Sequence, residues 1–200
     1  MRTIFIDVDT QLDFMFPSGA LYAPGAETIT PALAELRNMA VETGSLIVST
    51  MDAHPEDDAE FKIWKPHCVL GTAGQQKLSV TLRDKRYTLT TAHGNLNEDG
   101  ARGAEQVIIE KQHVDCFTNP NLVPLLQMLG PARFLIYGVV TEVCVFHAAR
   151  GLLKAGHKVE LVEDAMWPFS KEAAQRALEE LTAGGASLTT TERIFSTVRT

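Results

Sequence analysis

Residues 134–144 read Phe134-Leu135-Ile136-Tyr137-Gly138-Val139-Val140-Thr141-Glu142-Val143-Cys144, an apolar run that breaks at a glycine and passes into an amphipathic helical pattern. An apolar run followed directly by a helix is typical of a buried strand in a parallel sheet. Cys144 then falls at the C-terminal end of that strand and in the first turn of the helix. Free backbone N–H groups there lower the pKa of a thiol and can hold an oxyanion. The stretch therefore predicts a nucleophile at Cys144.

The same alternation of apolar runs and helical patterns continues along the chain. Short runs rich in Val, Ile or Leu predict strands at residues 3–8, 45–50, 106–110, 133–139, 158–162 and 187–190. Patterns between them, several of which end at a glycine, predict helices at residues 29–43, 119–129, 142–155 and 171–183. Strands that alternate with helices indicate an α/β fold, here a doubly wound, mostly parallel six-stranded sheet with helices on both faces.

Two segments interrupt this alternation. Residues 52–74 are polar and rich in turn-forming residues, and residues 78–103 match neither pattern well. Within the second segment we expect a hairpin at residues 85–91, followed by a loop at residues 94–100. Long irregular connections in a compact domain are commonly functional or mobile.

Composition limits the class of protein. The chain has 200 residues, of which 45% are hydrophobic, and fits a single domain over residues 1–200. A formal charge of −7 with scattered Lys and Arg argues against a nucleic-acid partner. No apolar run reaches the roughly 18 residues of a membrane helix, and the N-terminus begins a strand, so we expect a cytoplasmic protein with no membrane partner. The three cysteines suit reduced thiols better than a disulfide framework.

Reactive side chains follow four of the predicted strands. Asp9 follows the first strand, Asp52 and His54 the second, Lys111 the third and Cys144 the fourth. Active sites of open α/β sheets lie beyond the C-terminal ends of the strands, so these residues should share one edge. A carboxylate can take the proton of a thiol and return it to a leaving amine, while an ammonium offsets the charge. Asp9, Lys111 and Cys144 therefore predict acyl transfer from carbon to sulfur and then to water.

A metal site is predicted beside this edge. Asp52 and His54 are two residues apart on an extended segment and so project to the same side, and His67 can return to the same point. Carboxylate and imidazole ligands suit zinc, manganese or iron. The alternative is that Asp52 caps a turn and both histidines lie on the surface. Cys68, the neighbour of His67, is interpreted as buried structure.

Three longer motifs resemble those of a known family. Residues 9–14 match D-x-Q-x-D-F, and residues 138–145 match G-x-x-T-[DE]-x-C-V. The third motif is D-x-H at residues 52–54, followed by Trp64-Lys65-Pro66-His67-Cys68-Val69-Leu70-Gly71-Thr72. They resemble the isochorismatase-like cysteine hydrolases, and more closely the nicotinamidase branch, over nearly the whole chain. The resemblance implies the fold of those hydrolases, with Asp9, Lys111 and Cys144 as the catalytic triad.

The resemblance also implies roles for residues around the triad. It places one divalent metal ion, zinc first and iron or manganese as alternatives, on Asp52, His54, Glu60 and His67. It implies a cis peptide between Val139 and Val140 and an oxyanion hole formed by the N–H groups of Val140 and Cys144. It implies aromatic walls around the substrate ring, for which the candidates are Phe14, Trp64 and Phe117.

The implied activity is the metal-dependent hydrolysis of nicotinamide or a related small amide to the acid and ammonia, through a thioester on Cys144. Another small amide or carbamoyl compound, or isochorismate, is the alternative within the family. A non-catalytic binding protein is the alternative outside it. His147 lies three residues after Cys144 on the same helix face, which suggests a Cys-His dyad, but we interpret His147 as packed or partly buried. A homo-oligomer is compatible with a subunit of this size.

Overall fold

The computed structural model describes residues 1–198, which form a seven-stranded sheet flanked by helices. Every pairing between neighbouring strands of this part of the chain is parallel, and the strand order is β3-β4-β2-β1-β5-β6-β7. The strands are β1 Thr3–Val8, β2 Leu46–Asp52, β3 Arg86–Leu89, β4 Gln106–Lys111, β5 Arg133–Val139, β6 Lys158–Trp167 and β7 Ser187–Thr189. The doubly wound α/β class predicted from the sequence is therefore confirmed.

Seven α-helices connect or flank the strands. They are α1 Leu12–Met15, α2 Thr30–Glu42, α3 Glu98–Gly103, α4 Leu122–Leu129, α5 Phe146–Lys154, α6 Lys171–Ala183 and α7 Thr191–Val198. Helix α2 packs with α7, while α5 packs with α6. Because crossovers between parallel strands are right-handed, α2 and α5 cover opposite faces of the sheet. Strands β1 and β5 are consequently buried along nearly their whole length.

Shorter helical segments lie between these elements. Single turns of 3-10 helix span Ala26–Ile29, Ala59–Lys62, Ser79–Thr81 and Cys116–Thr118, and a π-helical turn spans Thr141–Val145. The helix expected at residues 142–155 thus starts as a π turn, which contains Cys144, before α5 begins. Such π turns occur frequently at functional sites.

The strand count is the main difference from the sequence prediction. The expected hairpin at residues 85–91 is wrong: this segment supplies one short strand, β3, which pairs in parallel with β4 and is the seventh strand. Arg86 is exposed and Leu89 is buried. A four-residue edge strand with so few apolar side chains leaves a weak pattern in the sequence.

Gly138 brings β5 into close contact with β1. It lies opposite Val8 in the pairing of β5 with β1. Its backbone φ is 115°, which residues that carry a side chain rarely adopt. A Cβ atom at this position would lie 2.1 Å from the carbonyl oxygen of Val8. A glycine is therefore required here, because only the bare backbone lets the two strand ends approach.

A buried polar group lies below the end of β1. The Asp7 carboxylate is fully buried and forms an ion pair with Lys77, with 3.1 Å between Oδ2 and Nζ. It also accepts hydrogen bonds from the hydroxyls of Thr10 at 2.8 Å and Ser49 at 3.0 Å. Asp7, which interrupts an otherwise aliphatic strand, is therefore fully partnered.

No helix among residues 1–198 has the length and apolar composition needed to cross a bilayer.

Candidate active site

The candidate site lies where the winding of the sheet reverses. The chain leaves β1 toward β2 on one side and leaves β5 toward β6 on the other, so the C-terminal ends of β1 and β5 form the topological switch point. Asp9 directly follows β1, and Cys144 lies in the π turn that follows β5. Lys111 ends β4 and reaches the same place across β2. The structure thus brings the three predicted residues together.

Lys111 connects the acidic and thiol groups. Its ammonium lies 2.9 Å from Asp9 Oδ2 and 3.6 Å from Cys144 Sγ, and it also forms a short ion pair with Asp52 Oδ1. All four side chains are buried. Burial by itself opposes the charge on Lys111, but the two carboxylates outweigh it and raise the pKa of Lys111 well above its usual range. Lys111 is therefore a fixed cation.

Asp9 is held in an uncommon backbone conformation. Its φ is +46°, in the left-handed region that non-glycine residues rarely adopt. The backbone N–H of Asp9 donates to the carbonyl of Thr50 at 3.2 Å, and the Thr50 hydroxyl donates to Asp9 Oδ1 at 2.6 Å. Strained residues of this kind persist where surrounding contacts fix them. Here those contacts leave Oδ2 facing Lys111.

The pKa of the Cys144 thiol is raised, whereas its place in the first turn of a helix predicted a lowered pKa. Burial raises its pKa most; Lys111 lowers it, but the charges of Asp9 and Asp52 and the hydrogen bond with Asp9 raise it further, so the pKa lies well above its usual value. A helix N-terminus alone would lower the pKa of a thiol. Because Lys111 is shared between two carboxylates, it cannot by itself hold a thiolate.

A candidate metal site adjoins these groups. One ligand atom from each of Asp52, His54 and His67 lies within 4.8 Å of the others, and all three residues are buried. Asp52 Oδ2 is 3.9 Å from His54 Nε2 and 3.6 Å from His67 Nε2. Burial opposes ionisation of Asp52, but Lys111 and the two histidines outweigh it and place the pKa of Asp52 well below its usual range. Asp52 is therefore anionic at neutral pH, as a carboxylate ligand of a metal ion has to be.

The histidine rings are oriented for metal binding. His54 Nδ1 is 2.9 Å from Asp58 Oδ2, and His67 Nδ1 is 2.7 Å from the carbonyl of Lys65. These contacts occupy Nδ1 and leave Nε2 of each ring facing Asp52, as outer-shell partners of metal-binding histidines do. His54 Nε2 is buried without a hydrogen-bond partner. Because buried polar atoms are normally paired, the donor set fits a divalent ion.

Glu60 lies at the outer side of this cluster. Its Oε2 is 3.8 Å from His54 Nε2, and burial, followed by the charge of Asp52, raises the pKa of its carboxyl. It belongs to the 3-10 turn Ala59–Lys62. The Asp58 carboxylate caps this turn by accepting a hydrogen bond from Glu60 N at 2.8 Å. Asp58 thus contacts both a histidine and the turn that carries Glu60. Three of the four predicted ligands meet closely, and Glu60 stands next to them.

The peptide between Val139 and Val140 is cis, as the resemblance implies. The Val140 carbonyl accepts hydrogen bonds from the N–H groups of Val143 at 3.0 Å and Val145 at 3.2 Å. Both Val139 and Val140 are buried and line the cavity in front of Cys144. They therefore form the wall from which the π turn starts.

One cavity, connected to the solvent, is lined by the Cys144 thiol and by two of the clustered ligand candidates, Asp52 and His67. Its polar lining consists of Asp52, Glu60, His67 and Cys144. Phe14 and Trp64, both predicted as aromatic walls, line it. The sequence analysis missed four further apolar lining residues, which are Leu21, Val114, Val143 and Phe169. Three of these lie in loops or turns whose paths the periodic patterns do not define, and Val143 was visible only as a neighbour of Cys144.

The expectation that Phe117 forms a wall is wrong. Phe117 belongs to the 3-10 turn Cys116–Thr118 and packs on α5, where a Cβ atom added to Gly151 would lie 2.1 Å from its ring. Phe117 lines a different cavity, together with Cys116, Ala148 and Leu152. Val114, from the same loop, lines the cavity instead.

The remaining cysteines and His147 lie outside the reacting group. Cys68 and Cys116 are buried free thiols, and burial, as the largest cause, raises the pKa of Cys116 to about 12 and that of Cys68 further still. His147 is partly buried and contacts Arg150, with 3.3 Å between Nδ1 and Nη2. A Cys144-His147 dyad is therefore not formed.

The fold and these side chains define a protein of the α/β class whose sheet edge carries a thiol, a carboxylate and an ammonium beside a candidate metal site. The chain belongs to the isochorismatase family: the family's Isochorismatase domain matches residues 3–193. It is similar to a pyrazinamidase from Pyrococcus horikoshii in complex with zinc, with 32% identity, a TM-score of 0.77, and coverage of 95% of this chain and 99% of that one.

Two further relatives extend the similarity. A pyrazinamidase/nicotinamidase structure from Streptococcus mutans is 26% identical, with a TM-score of 0.78 and coverage of 94% and 99%. The nicotinamidase of Saccharomyces cerevisiae is 24% identical over an alignment of 213 positions, which covers 92% of this chain and 96% of that protein. The resemblance stated from the motifs is thereby confirmed at the level of the family.

Proposed function

We propose that this protein hydrolyses nicotinamide or a closely related small aromatic amide to the acid and ammonia, with Cys144 as the nucleophile. The observation that carries the proposal is that Cys144 lines one mostly apolar cavity together with Asp52 and His67, two members of the candidate metal cluster. A flat, neutral amide fits such a cavity, because its ring is apolar and its one reactive group faces the polar end. The similarity to nicotinamidases and pyrazinamidases supports the same reading.

The first half of the reaction transfers the acyl group to sulfur. Asp9 accepts the proton of the Cys144 thiol as the sulfur attacks the amide carbon, and the ion pair with Lys111 keeps the Asp9 carboxylate oriented. The N–H groups of Val140 and Cys144 are the proposed donors to the oxyanion. Asp9 then returns its proton to the amide nitrogen as the C–N bond breaks, and ammonia leaves a thioester on Cys144.

The second half uses water. Asp9 removes a proton from a water molecule that attacks the thioester carbon, and the C–S bond breaks with return of that proton to the sulfur. The sum consumes one amide and one water and yields one acid and one ammonia.

A divalent ion would be held by Asp52, His54 and His67, with Glu60 beside them. When bound, it supplies a Lewis-acidic centre at the polar end of the cavity that can orient the substrate. Asp58 and the Lys65 carbonyl fix the two imidazoles for this role. We propose zinc, with iron or manganese as alternatives.

Isochorismate is the second candidate and is less favoured by the cavity. It carries two carboxylates, whereas Asp52 and Glu60 line the cavity and, within residues 1–198, no Lys or Arg side chain does so. Two anionic groups would therefore meet like charges on entry. A neutral carbamoyl compound meets no such repulsion and remains the nearer alternative.

The test is ammonia release from nicotinamide, pyrazinamide and propionamide, with and without a chelator. We expect release from the two aromatic amides, loss on chelation, and a fall in kcat of at least about 1,000-fold in Cys144→Ala. Cys116→Ala is the matched control and should retain activity, because Cys116 lies outside the cavity. Turnover of isochorismate or a carbamoyl compound without ammonia from either aromatic amide would overturn the proposal.

A further inference from the structure

The residues at the mouth of the cavity are more exposed to solvent than those at its floor. The floor residues Cys144, His67 and Phe14 are 8%, 4% and 5% exposed. Phe169, in contrast, is 37% exposed, and Trp64 is partly exposed, yet both line the same cavity. They therefore stand between the reacting groups and the solvent.

Phe169 and Trp64 stack on each other across this mouth. Their ring centroids are 6.1 Å apart and their planes differ by 25°. They come from distant parts of the chain, since Trp64 follows the 3-10 turn that carries Glu60 and Phe169 lies in the β6–α6 loop. The pair thus brings two aromatic rings from separate segments together at the opening of the cavity.

The loop that carries Phe169 is fixed on both sides. The residue before it is Pro168, whose ring limits the backbone. The residue after it is Ser170, the N-cap of α6, whose hydroxyl accepts from Ala173 N at 3.2 Å. The N–H of Ser170 donates at 2.7 Å to the carboxylate of Glu142, which lies in the π turn that holds Cys144. The position of Phe169 is thereby tied to the turn of the nucleophile.

We infer that Phe169 is a specificity-determining residue, which with Trp64 forms an aromatic gate that selects planar aromatic amides over aliphatic amides of similar polarity. This inference rests on the proposed function for the identity of the reaction. The physical basis is that a planar ring stacks on an aromatic side chain, whereas a short aliphatic chain gains little from it. The aromatic pair, the fixed loop and the apolar rim formed with Leu21 and Val114 all serve the same contact.

The test measures binding and turnover separately. Binding of nicotinamide and propionamide is measured calorimetrically on zinc-loaded Cys144→Ala and on the same protein with Phe169→Ala, Phe169→Leu or Phe169→Tyr. Leu188→Ala is the matched control, because Leu188 is also 37% exposed but lies on β7, away from the cavity. Turnover is measured for the corresponding variants that retain Cys144.

We expect Phe169→Ala and Phe169→Leu to weaken nicotinamide binding about three- to tenfold, the usual effect of one aromatic contact. Propionamide binding should change less than about twofold, Phe169→Tyr should keep the preference, and in turnover the loss should appear in KM with kcat retained. The inference would be overturned if Phe169→Ala weakened the binding of both amides equally, or if Phe169→Leu bound nicotinamide as tightly as the protein that retains Phe169. A wild-type protein that binds the ring selectively but releases no ammonia would defeat the proposed function and leave the gate supported.

Discussion

The Thr50 hydroxyl donates a 2.6 Å hydrogen bond to Asp9 Oδ1, while the ammonium of Lys111 holds the other oxygen of the same carboxylate at 2.9 Å. Oδ1 of Asp9 is therefore anchored to Thr50 on β2, while Oδ2 faces Lys111 on the side of the thiol. The backbone of Asp9 lies in the left-handed region, with its N–H bonded to the Thr50 carbonyl. Thr50 is thus a positioning residue for the proposed general base.

Replacement of Thr50 by valine keeps the shape of the side chain and removes the hydroxyl. We expect kcat to fall about 10- to 100-fold, as for the loss of one hydrogen bond to a charged group. KM should stay within about twofold, because Thr50 does not line the cavity in front of Cys144. Steady-state kinetics on nicotinamide, with Thr50→Ser expected to recover most of kcat, provides the check. A serine variant as slow as the valine variant would assign Thr50 to packing alone.

The buried ion pair of Asp7 with Lys77 predicts a large loss of stability when one partner is removed. Lys77→Met leaves the fully buried Asp7 carboxylate without its cation, and we expect the free energy of unfolding to fall by about 3–5 kcal/mol. The joint variant Asp7→Leu with Lys77→Met should lose less than Lys77→Met alone. Urea denaturation measures both.

The matched control for that experiment is the exposed ion pair between Glu98 and Arg102. Their side chains are 63% and 57% exposed, so Arg102→Met should change the stability by less than about 1 kcal/mol. A Lys77→Met variant no less stable than Arg102→Met would show that Asp7 tolerates burial alone.

Asp58 predicts an effect on metal affinity without being a ligand. Asp58→Asn keeps an oxygen for the cap on Glu60 N but removes the carboxylate from His54 Nδ1. We expect zinc affinity to fall about 10- to 100-fold, the usual cost of losing an outer-shell partner. Competition with a chromophoric chelator measures it. Asp57→Asn, an exposed neighbour with the same change of charge, should leave the affinity unchanged; equal losses in both variants would point to overall charge.

The raised pKa of Cys144 predicts how its alkylation depends on pH. Iodoacetamide reacts with the thiolate, and below the pKa its fraction grows about tenfold per pH unit. In metal-free protein we therefore expect the alkylation rate of Cys144 to keep rising from pH 7 to pH 9. Cys116 should stay unmodified in the folded state, since it is buried and its pKa is raised to about 12. Mass spectrometry of the labelled peptides follows each site, and a plateau for Cys144 below pH 8 would contradict the expectation.

The sequence predicted the parts of this molecule that follow from strand ends. Asp9 directly follows a strand, Asp52 and Lys111 end strands, and Cys144 lies in the turn after one; parallel strands bring such residues to one edge. The same reasoning could not find Lys77, the partner of Asp7, because it reaches the strand from an irregular segment. Contacts of that kind depend on the path of the chain between elements, which periodicity does not describe.

Phe117 and Phe169 show the same limit from two sides. Both follow a strand by several residues, and only the local backbone decides which of them faces the cavity. A tight 3-10 turn sends Phe117 toward α5, whereas the long strand β6, shifted in register so that Gly138 pairs with Met166, delivers Phe169 to the mouth. Neither the turn nor the shift leaves a distinctive pattern of apolar residues.

The direction of the Cys144 pKa was also beyond local reasoning. A thiol in the first turn of a helix should be acidic, but burial, and after it the charges of Asp9 and Asp52, raise the pKa of Cys144 instead. Their effect depends on how Lys111 is shared between them, which is a property of three strands together.

The backbone contact at Gly138 has a consequence for how this architecture can diversify. The spacing between the ends of β1 and β5, and with it the separation of acid and thiol, is set by main-chain atoms and not by side chains. The mouth residues Leu21, Val114 and Phe169 lie outside the strands, on segments that can change without moving that contact. New substrates can therefore be acquired by loop substitution while the chemistry is inherited unchanged.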